Sequence, residues 1–449
     1  MKAKQIVTFN EHLKSEFEIF PAIYGNRYEK YTVGNKITSD FMGFGVAITG
    51  SSCYNLMLME KSERRKLLES IYSKEGANLT IARLTVAPCD YAPEIYSYDD
   101  VPFDTELKHF SIERDEKYVI PIIKEILEIN PDIYIYASPW SPPGWMKTGG
   151  NMLGGYMLEE YVECFANYYL KFIKAYAEHG IKISAITPQN EPDNHQEGLM
   201  PACIWHPAIE AKFVKVMKKL LKENNLDIEI WIYDFNFSGA NRPLWQLDNN
   251  IENIKENCEG VAFHYYVGNI EETKVIKEKH PEMKLHFTEG GPRLTDHYDN
   301  DWCKWGIMIT KAMQCGYSSF TGWNLMLNEL GGPQIGPFPC GGLVMLDSRT
   351  KELSYSGQLK VFEHIAPYIT PKSVIYALDR ADSLTAVNTI SSYPYHTHLC
   401  QGFVIDNDGK KVIIVVNPDE KRSQAEFFVD GKWWFAELPG ESISTIIFE

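Results

Sequence analysis

Between Phe41 and Ile365 a short, largely apolar run gives way to a segment with helical spacing, and it does so eight times. The apolar runs are Phe41–Thr49, Leu79–Val86, Ile133–Ser138, Ile181–Thr187, Glu229–Tyr233, Gly260–His264, Lys284–Thr288 and Ser319–Trp323. The helical segments that follow them are Lys61–Ser73, Arg114–Ile129, Glu159–Glu178, Ala208–Glu223, Leu244–Lys255, Glu271–His280, Trp302–Cys315 and Gln358–Ile365. A strand buried on both faces reads as a continuous apolar run rather than an alternating one. Eight such units predict an α/β fold, a (β/α)₈ TIM barrel whose working face lies at the strand C-termini. The connections after Val86, Ser138, Thr187 and Trp323 are long and rich in Pro, Gly and aromatics, and long barrel loops are usually functional.

After Pro371 the helical spacing disappears. Val374–Leu378, Leu384–Thr389, Gly402–Ile405, Val412–Val416, Ala425–Val429 and Ser444–Phe448 alternate or run β-branched, separated by turn signals such as Asn407-Asp408-Gly409 and Asp430-Gly431. They predict a β-sandwich. Gln5–Phe9 and Phe17–Tyr24 are also strand-like and have no place in a barrel, so the side domain is expected to draw on both termini. The expected division is 1–38 for the N-terminal strands, 39–370 for the barrel and 371–449 for the sandwich.

With 449 residues, 44% of them hydrophobic, the chain can bury a large core. Its formal charge of −16 argues against a nucleic-acid partner, which needs a basic face. No run approaches the roughly 18 apolar residues of a membrane span. Met1 to Thr8 lacks the apolar stretch of a secretory signal, and the nine cysteines are odd in number, scattered and without a CxxC pair. These features predict reduced thiols and a cytoplasmic location.

Two strand tips carry chemistry. Ala185-Ile186-Thr187-Pro188-Gln189-Asn190-Glu191-Pro192 ends an apolar run in a polar turn with a carboxylate between prolines, and Leu285-His286-Phe287-Thr288-Glu289-Gly290-Gly291 has the same form. Two strand-tip carboxylates facing each other are what retaining glycoside hydrolysis requires, one as acid/base and one as nucleophile. Taken singly, a strand-end glutamate also serves as an ion-pair partner. Arg83 sits inside the run Leu79–Val86 and must be paired if it faces the barrel. Beside Glu289 it would lower that carboxyl's pKa and keep it ionised. Asn190 either holds a sugar hydroxyl or shapes the turn. Trp140, Trp145, Trp205, Trp323, Tyr265 and Tyr266 lie at or beyond strand tips, suited to sugar rings or to core packing. His396 and His398 with Cys400 resemble metal ligands but lack a clear fourth, and no P-loop or dinucleotide fingerprint is present, so no metal or organic cofactor is expected.

Taken together, these stretches resemble glycoside hydrolase family 30, in its glucosylceramidase-like branch. The matching segments are Gly43–Thr49, Arg83 with Pro88-Cys89-Asp90-Tyr91, Ala137–Thr148, Thr187–Pro192, His264-Tyr265-Tyr266, Thr288-Glu289-Gly290 and Trp323-Asn324-Leu325, in the family's order. The resemblance implies a barrel with a terminal β-sandwich and a retaining double displacement, with Glu191 as acid/base and Glu289 as nucleophile. Arg83, Trp140, Asn190, Tyr266 and Trp323 match residues lining the sugar subsite. One position departs: Gly50 stands where the glucosylceramidases carry an aspartate toward the sugar's distal hydroxyls. Gly50 is therefore an expected specificity position, opening space for a substituted sugar. The implied activity is an exo-acting β-glucosidase on a glucoside or substituted glucoside. A β-xylosidase, a β-fucosidase, an endo-acting glucanase or xylanase, a transglycosylase and a non-catalytic carbohydrate-binding protein are the alternatives.

Overall fold

A computed structural model describes residues 2–9, 13–22, 29–196, 198–381 and 399–449. Eight parallel strands close into a barrel: β1 Phe44–Ile48, β2 Ile81–Thr85, β3 Tyr134–Ser138, β4 Ala185–Ile186, β5 Glu229–Asn236, β6 Gly260–His264, β7 Lys284–Glu289 and β8 Tyr317–Gly322. Each strand pairs with its neighbours in chain order, and β8 pairs with β1. The lower barrel is filled by large side chains. Trp231 stacks on His286 at 3.6 Å between ring centroids and packs tilted against Tyr136 at 4.9 Å. With the floor filled mainly by aromatics, the charged cluster sits in the upper layer, at the strand C-termini.

Two strands depart from expectation. β4 is two residues long instead of spanning Ile181–Thr187. Thr187 N still donates to Ala137 O at 3.0 Å, but Pro188 has no N–H to continue the ladder. β5 runs on past Tyr233 through a bulge, where Tyr233 and Asp234 both take left-handed conformations with φ of 78° and 52°. A bulge redirects a side chain, and here it turns the Asp234 carboxylate into the barrel mouth. The helix expected over Leu244–Lys255 divides into Asn241–Asp248 and a 3₁₀ segment, Ile251–Glu256.

Both termini build the second β domain. Among the described residues its nine strands hydrogen-bond in one closed order, so the two faces of the sandwich are joined at their edges. Val374–Arg380, Gln401–Asn407, Lys410–Asn417, Ser423–Val429 and Ser442–Phe448 match expected strands, slightly extended. Glu29–Thr38 falls within the expected N-terminal strand region, 1–38, without having been delimited there, and Lys432–Leu438 was not anticipated. The second follows from the turn signal Asp430-Gly431, whose positive φ values (50° and 80°) fold the chain straight back on itself. The predicted strand Leu384–Thr389, the end of Phe17–Tyr24, and His396 and His398 lie outside the described residues.

The barrel core continues into the facing sheet of the β domain, which also has a second core of its own. Helix Trp302–Gln314 packs on the β domain, where Gly306 lets Val416 approach so closely that a Cβ would lie 2.7 Å from its methyl. Trp302 Nε1 donates to Glu441 O at 2.7 Å. All nine cysteines are free thiols, and no helix among the described residues is long and apolar enough to cross a membrane.

Candidate active site

The tips of β2 to β7 bring polar side chains into one buried cluster centred on Arg83. Its Nη1 donates to Glu289 Oε2 at 2.5 Å, and its Nη2 donates to Asn190 Oδ1 at 2.7 Å and Asp234 Oδ2 at 2.8 Å. The guanidinium also lies against the Trp140 and Trp323 rings, 4.8 and 5.5 Å from their centroids, and those indoles stack on each other at 5.2 Å. Such a fork cannot rotate without breaking several charge-assisted bonds at once.

Glu289 is held on both oxygens, by Arg83 on Oε2 and by the Tyr266 hydroxyl, which donates to Oε1 at 2.9 Å. Glu191 is held differently. Its backbone takes a φ of 51° and its N–H donates to Asp234 O at 3.0 Å, which swings the side chain over the barrel mouth. His264 Nδ1 lies 3.0 Å from Glu191 Oε1, and Asn194 Nδ2 donates to Oε2. One oxygen of Glu191 and one of Glu289 lie within 4.8 Å of each other, with a His264 nitrogen within the same distance of both.

Asp234 is the hub beneath them. It accepts from Arg83, Ser138 and Thr187 on Oδ2, and from Thr288 on Oδ1, where the His264 Nε2 also faces it at 3.0 Å. Burial alone would raise its pKa, but Arg83 and the His264 hydrogen bond hold it far below the ordinary carboxylate range. For His264, burial works downward. The charge of Glu289 and the bonds to Asp234 and Glu191 outweigh it and carry the ring up to about 9, so it is an imidazolium at neutral pH. With both ring nitrogens donating to carboxylates, His264 has no lone pair to offer a metal, and its charge with that of Arg83 alongside makes the Glu191–His264–Glu289 group unfit for a cation.

Burial pushes the Glu289 carboxyl above its ordinary value. His264 and Arg83 pull it back, and the charge of Glu191 raises it again. Arg83 therefore acts on Glu289 in the expected direction, but water exclusion is the larger effect.

The His264 shift makes stability pH-dependent. Its folded pKa exceeds the unfolded value of 6.5, so its contribution is complete below pH 6.5 and lost as pH rises through about 9. The difference corresponds to about 3 kcal/mol. Thermal melts across this range should show a stability loss that His264→Gln lacks. Parallel curves for the two proteins would show that His264 does not carry the charge.

The cleft above the cluster has a volume of about 240 Å³. Trp140, Asn190, Glu191, Tyr266, Glu289 and Trp323 line it, with Arg83 just behind them. Trp145, Trp205 and Tyr265 do not line it. Trp145 Nε1 donates to Asp99 O, Trp205 packs between Phe165 and Phe213, and Tyr265 packs on Trp305. Gly50 is not in the cleft either. It starts the helix Gly50–Met57 behind the Asp90–Tyr91 loop, where an added Cβ would meet Ala92 and Pro93 at 3.5–3.6 Å. No space for a substituent opens there.

The carboxylate that does reach this end of the cleft is Asp90. It is buried, its Oδ1 has no hydrogen-bond partner, and burial with the charges of Glu289 and Glu191 pushes it well above the ordinary range. Phe338, Pro339 and Cys340 line the same cleft. Asp90, Asp234 and the pairing role of His264 were not singled out from sequence. The carboxylates at the ends of the β2 and β5 runs were the available signal.

Residues 41–340 match the family model described as the glycosyl hydrolase family 30 TIM-barrel domain. Lysosomal acid glucosylceramidase of Mus musculus is 28% identical over 317 residues, covering 65% of this chain and 60% of that protein. An endo-1,6-β-D-glucanase of Neurospora crassa is 26% identical over 347 residues, covering 74% and 71%. Among solved structures, the endo-β1,6-glucanase BT3312 superposes with a TM-score of 0.85 at 25% identity, covering 99% of each chain.

Proposed function

The chain belongs to glycosyl hydrolase family 30 and is a glycoside hydrolase, and from that premise we propose that it cleaves β-glucosides with retention of configuration. Glu289 serves as nucleophile and Glu191 as acid/base. The approach of their carboxylate oxygens to within 4.8 Å carries this reading. Retaining enzymes hold the pair about 5–5.5 Å apart, whereas inverting enzymes need about 6.5–9.5 Å to admit a water.

In the first step a Glu289 oxygen bonds to the anomeric carbon as the bond to the leaving oxygen breaks, and Glu191 transfers its proton to that oxygen. Arg83 and the Tyr266 hydroxyl orient the nucleophile, and Asn190 lies beside it toward the sugar's 2-hydroxyl. In the second step water attacks the same carbon, Glu191 takes its proton, and Glu289 leaves as the carboxylate. Activity should fall as pH drops through the raised Glu289 pKa, because the nucleophile must be ionised.

The sugar is a glucose unit whose distal hydroxyls meet Asp90. Two features support this: the unpartnered Asp90 Oδ1, and a cleft volume of about 240 Å³, which suits about one ring. The small cleft favours a terminal sugar and exo action. The second reading is endo action on a β-1,6-linked glucan, favoured by the 1,6-glucanase relatives.

Initial rates on aryl β-glycosides of glucose, xylose, fucose, galactose and gentiobiose separate the readings. The glucoside should be fastest, and Asp90→Ala should lower its kcat/KM about 100-fold through lost hydrogen bonds to the sugar. Activity confined to the gentiobioside would favour the endo reading. A fast xyloside untouched by Asp90→Ala would remove glucose as the substrate.

A further inference from the structure

We propose that the terminal β domain carries a second, non-catalytic carbohydrate site, built around the buried carboxylate of Glu426. The closed strand order of this domain has a narrow seam. Among the described residues, strand Leu13–Pro21 pairs with strand Lys432–Leu438 through Phe20 with Phe435 and Pro21 with Trp434. Beside this seam lies a cleft of about 600 Å³, more than twice the volume of the catalytic cleft, with which it shares no lining residue.

Its walls combine Phe17, Phe20 and Phe435 with Gln5, Glu426 and Glu437. Phe17 and Phe20 are 50% and 66% exposed, which is costly for side chains with no partner to cover them. Glu426 is the opposite case. Its strand, Ser423–Val429, turns Ala425, Phe427 and Val429 into the domain core, and Glu426 projects from the other face, paired in register with Phe435. It is fully buried, yet neither carboxylate oxygen has a hydrogen-bond partner. Lys30, its register neighbour on strand Glu29–Thr38, extends over the Trp433 ring, 5.3 Å from the centroid.

A buried carboxylate without donors is a strong acceptor waiting for a ligand. Vicinal hydroxyls of a sugar donate in pairs to one carboxylate, and the C–H faces of the ring suit phenylalanine. Gln5 adds an amide already aligned by bonds from its Nε2 to Glu437 O at 2.8 Å and Ser444 Oγ at 3.0 Å. The volume and the mix of apolar wall with few polar groups match an organic-ligand site of more than one ring.

The test uses the full chain carrying Glu289→Gln, titrated calorimetrically with gentiotriose, laminaritriose and xylotriose, and with spermidine as a cationic probe. At least one saccharide should bind at a site that Glu426→Gln and Phe20→Ala each weaken at least tenfold. In the chain with Glu289 intact, both substitutions should leave aryl-glycoside hydrolysis unchanged. Glu426→Gln preserves shape and Phe20 is exposed, so both variants should fold. Saccharide binding confined to the catalytic cleft, or indifferent to both substitutions, overturns the proposal. So does binding of spermidine alone, which would make Glu426 a cation site. A saccharide that binds only in the Glu426 cleft upholds the second site and counts instead against the glucoside reading of the catalytic one.

Discussion

Glu289→Gln lowers kcat by more than ~10⁴-fold while leaving the fold and substrate binding intact. The amide is isosteric but cannot form a covalent glycosyl intermediate, and loss of a nucleophile costs a factor of this order or more. The fold survives because Arg83 keeps Asp234 and Asn190 as partners when the Glu289 charge is gone. Glu191→Ala gives the complementary result. Aryl glycosides with good leaving groups still form the intermediate, because they need no proton, but its hydrolysis stalls. Added azide should restore turnover and release the β-glycosyl azide. An α-configured azide, or a Glu289→Gln protein retaining a tenth of its activity, would falsify the assignment of the two roles.

The barrel was legible because its signal is dense: strands buried on both faces must be apolar throughout, and eight helical segments intervene. The positions of Glu191 and Glu289 were legible for the same reason, since each closes an apolar run and a barrel gathers its strand tips. What stayed hidden depended on backbone conformations that side chains do not announce. Tyr233 and Asp234 hold positive φ without being glycine, so the alternation that would place Asp234 breaks where it matters. Gly50 failed for another reason. Position in a motif located it near the right loop, but the helix it starts faces that loop's back, and the carboxylate that lines the cleft there is Asp90, beyond β2. The closed β domain was unreadable in detail because its closure pairs Glu29–Thr38 with Val374–Arg380, far apart in sequence.

Asp234→Asn tests whether the site is one electrostatic unit. The carboxylate serves five partners through two oxygens. Arg83, Ser138 and Thr187 donate to one, and Thr288 and His264 to the other, so an amide must turn its NH₂ group toward at least two of those donors. Breaking a buried pair by removing one member costs about 3–5 kcal/mol, because the remaining charges stay buried. The denaturant midpoint should fall accordingly. His264, deprived of one carboxylate, should titrate closer to 6.5, so the pH-dependent loss of stability toward pH 9 shrinks in Asp234→Asn. Arg83 then rests on Glu289 and Asn190 alone, and the loosened nucleophile should cost about 10²-fold in kcat, as small displacements of reacting groups do. A merely structural Asp234 would lower stability without changing its pH dependence or kcat. An Asp234→Asn protein within about 1 kcal/mol of the parent, with an unchanged pH profile, would mean that the two glutamates and Asn190 suffice to hold Arg83 and His264.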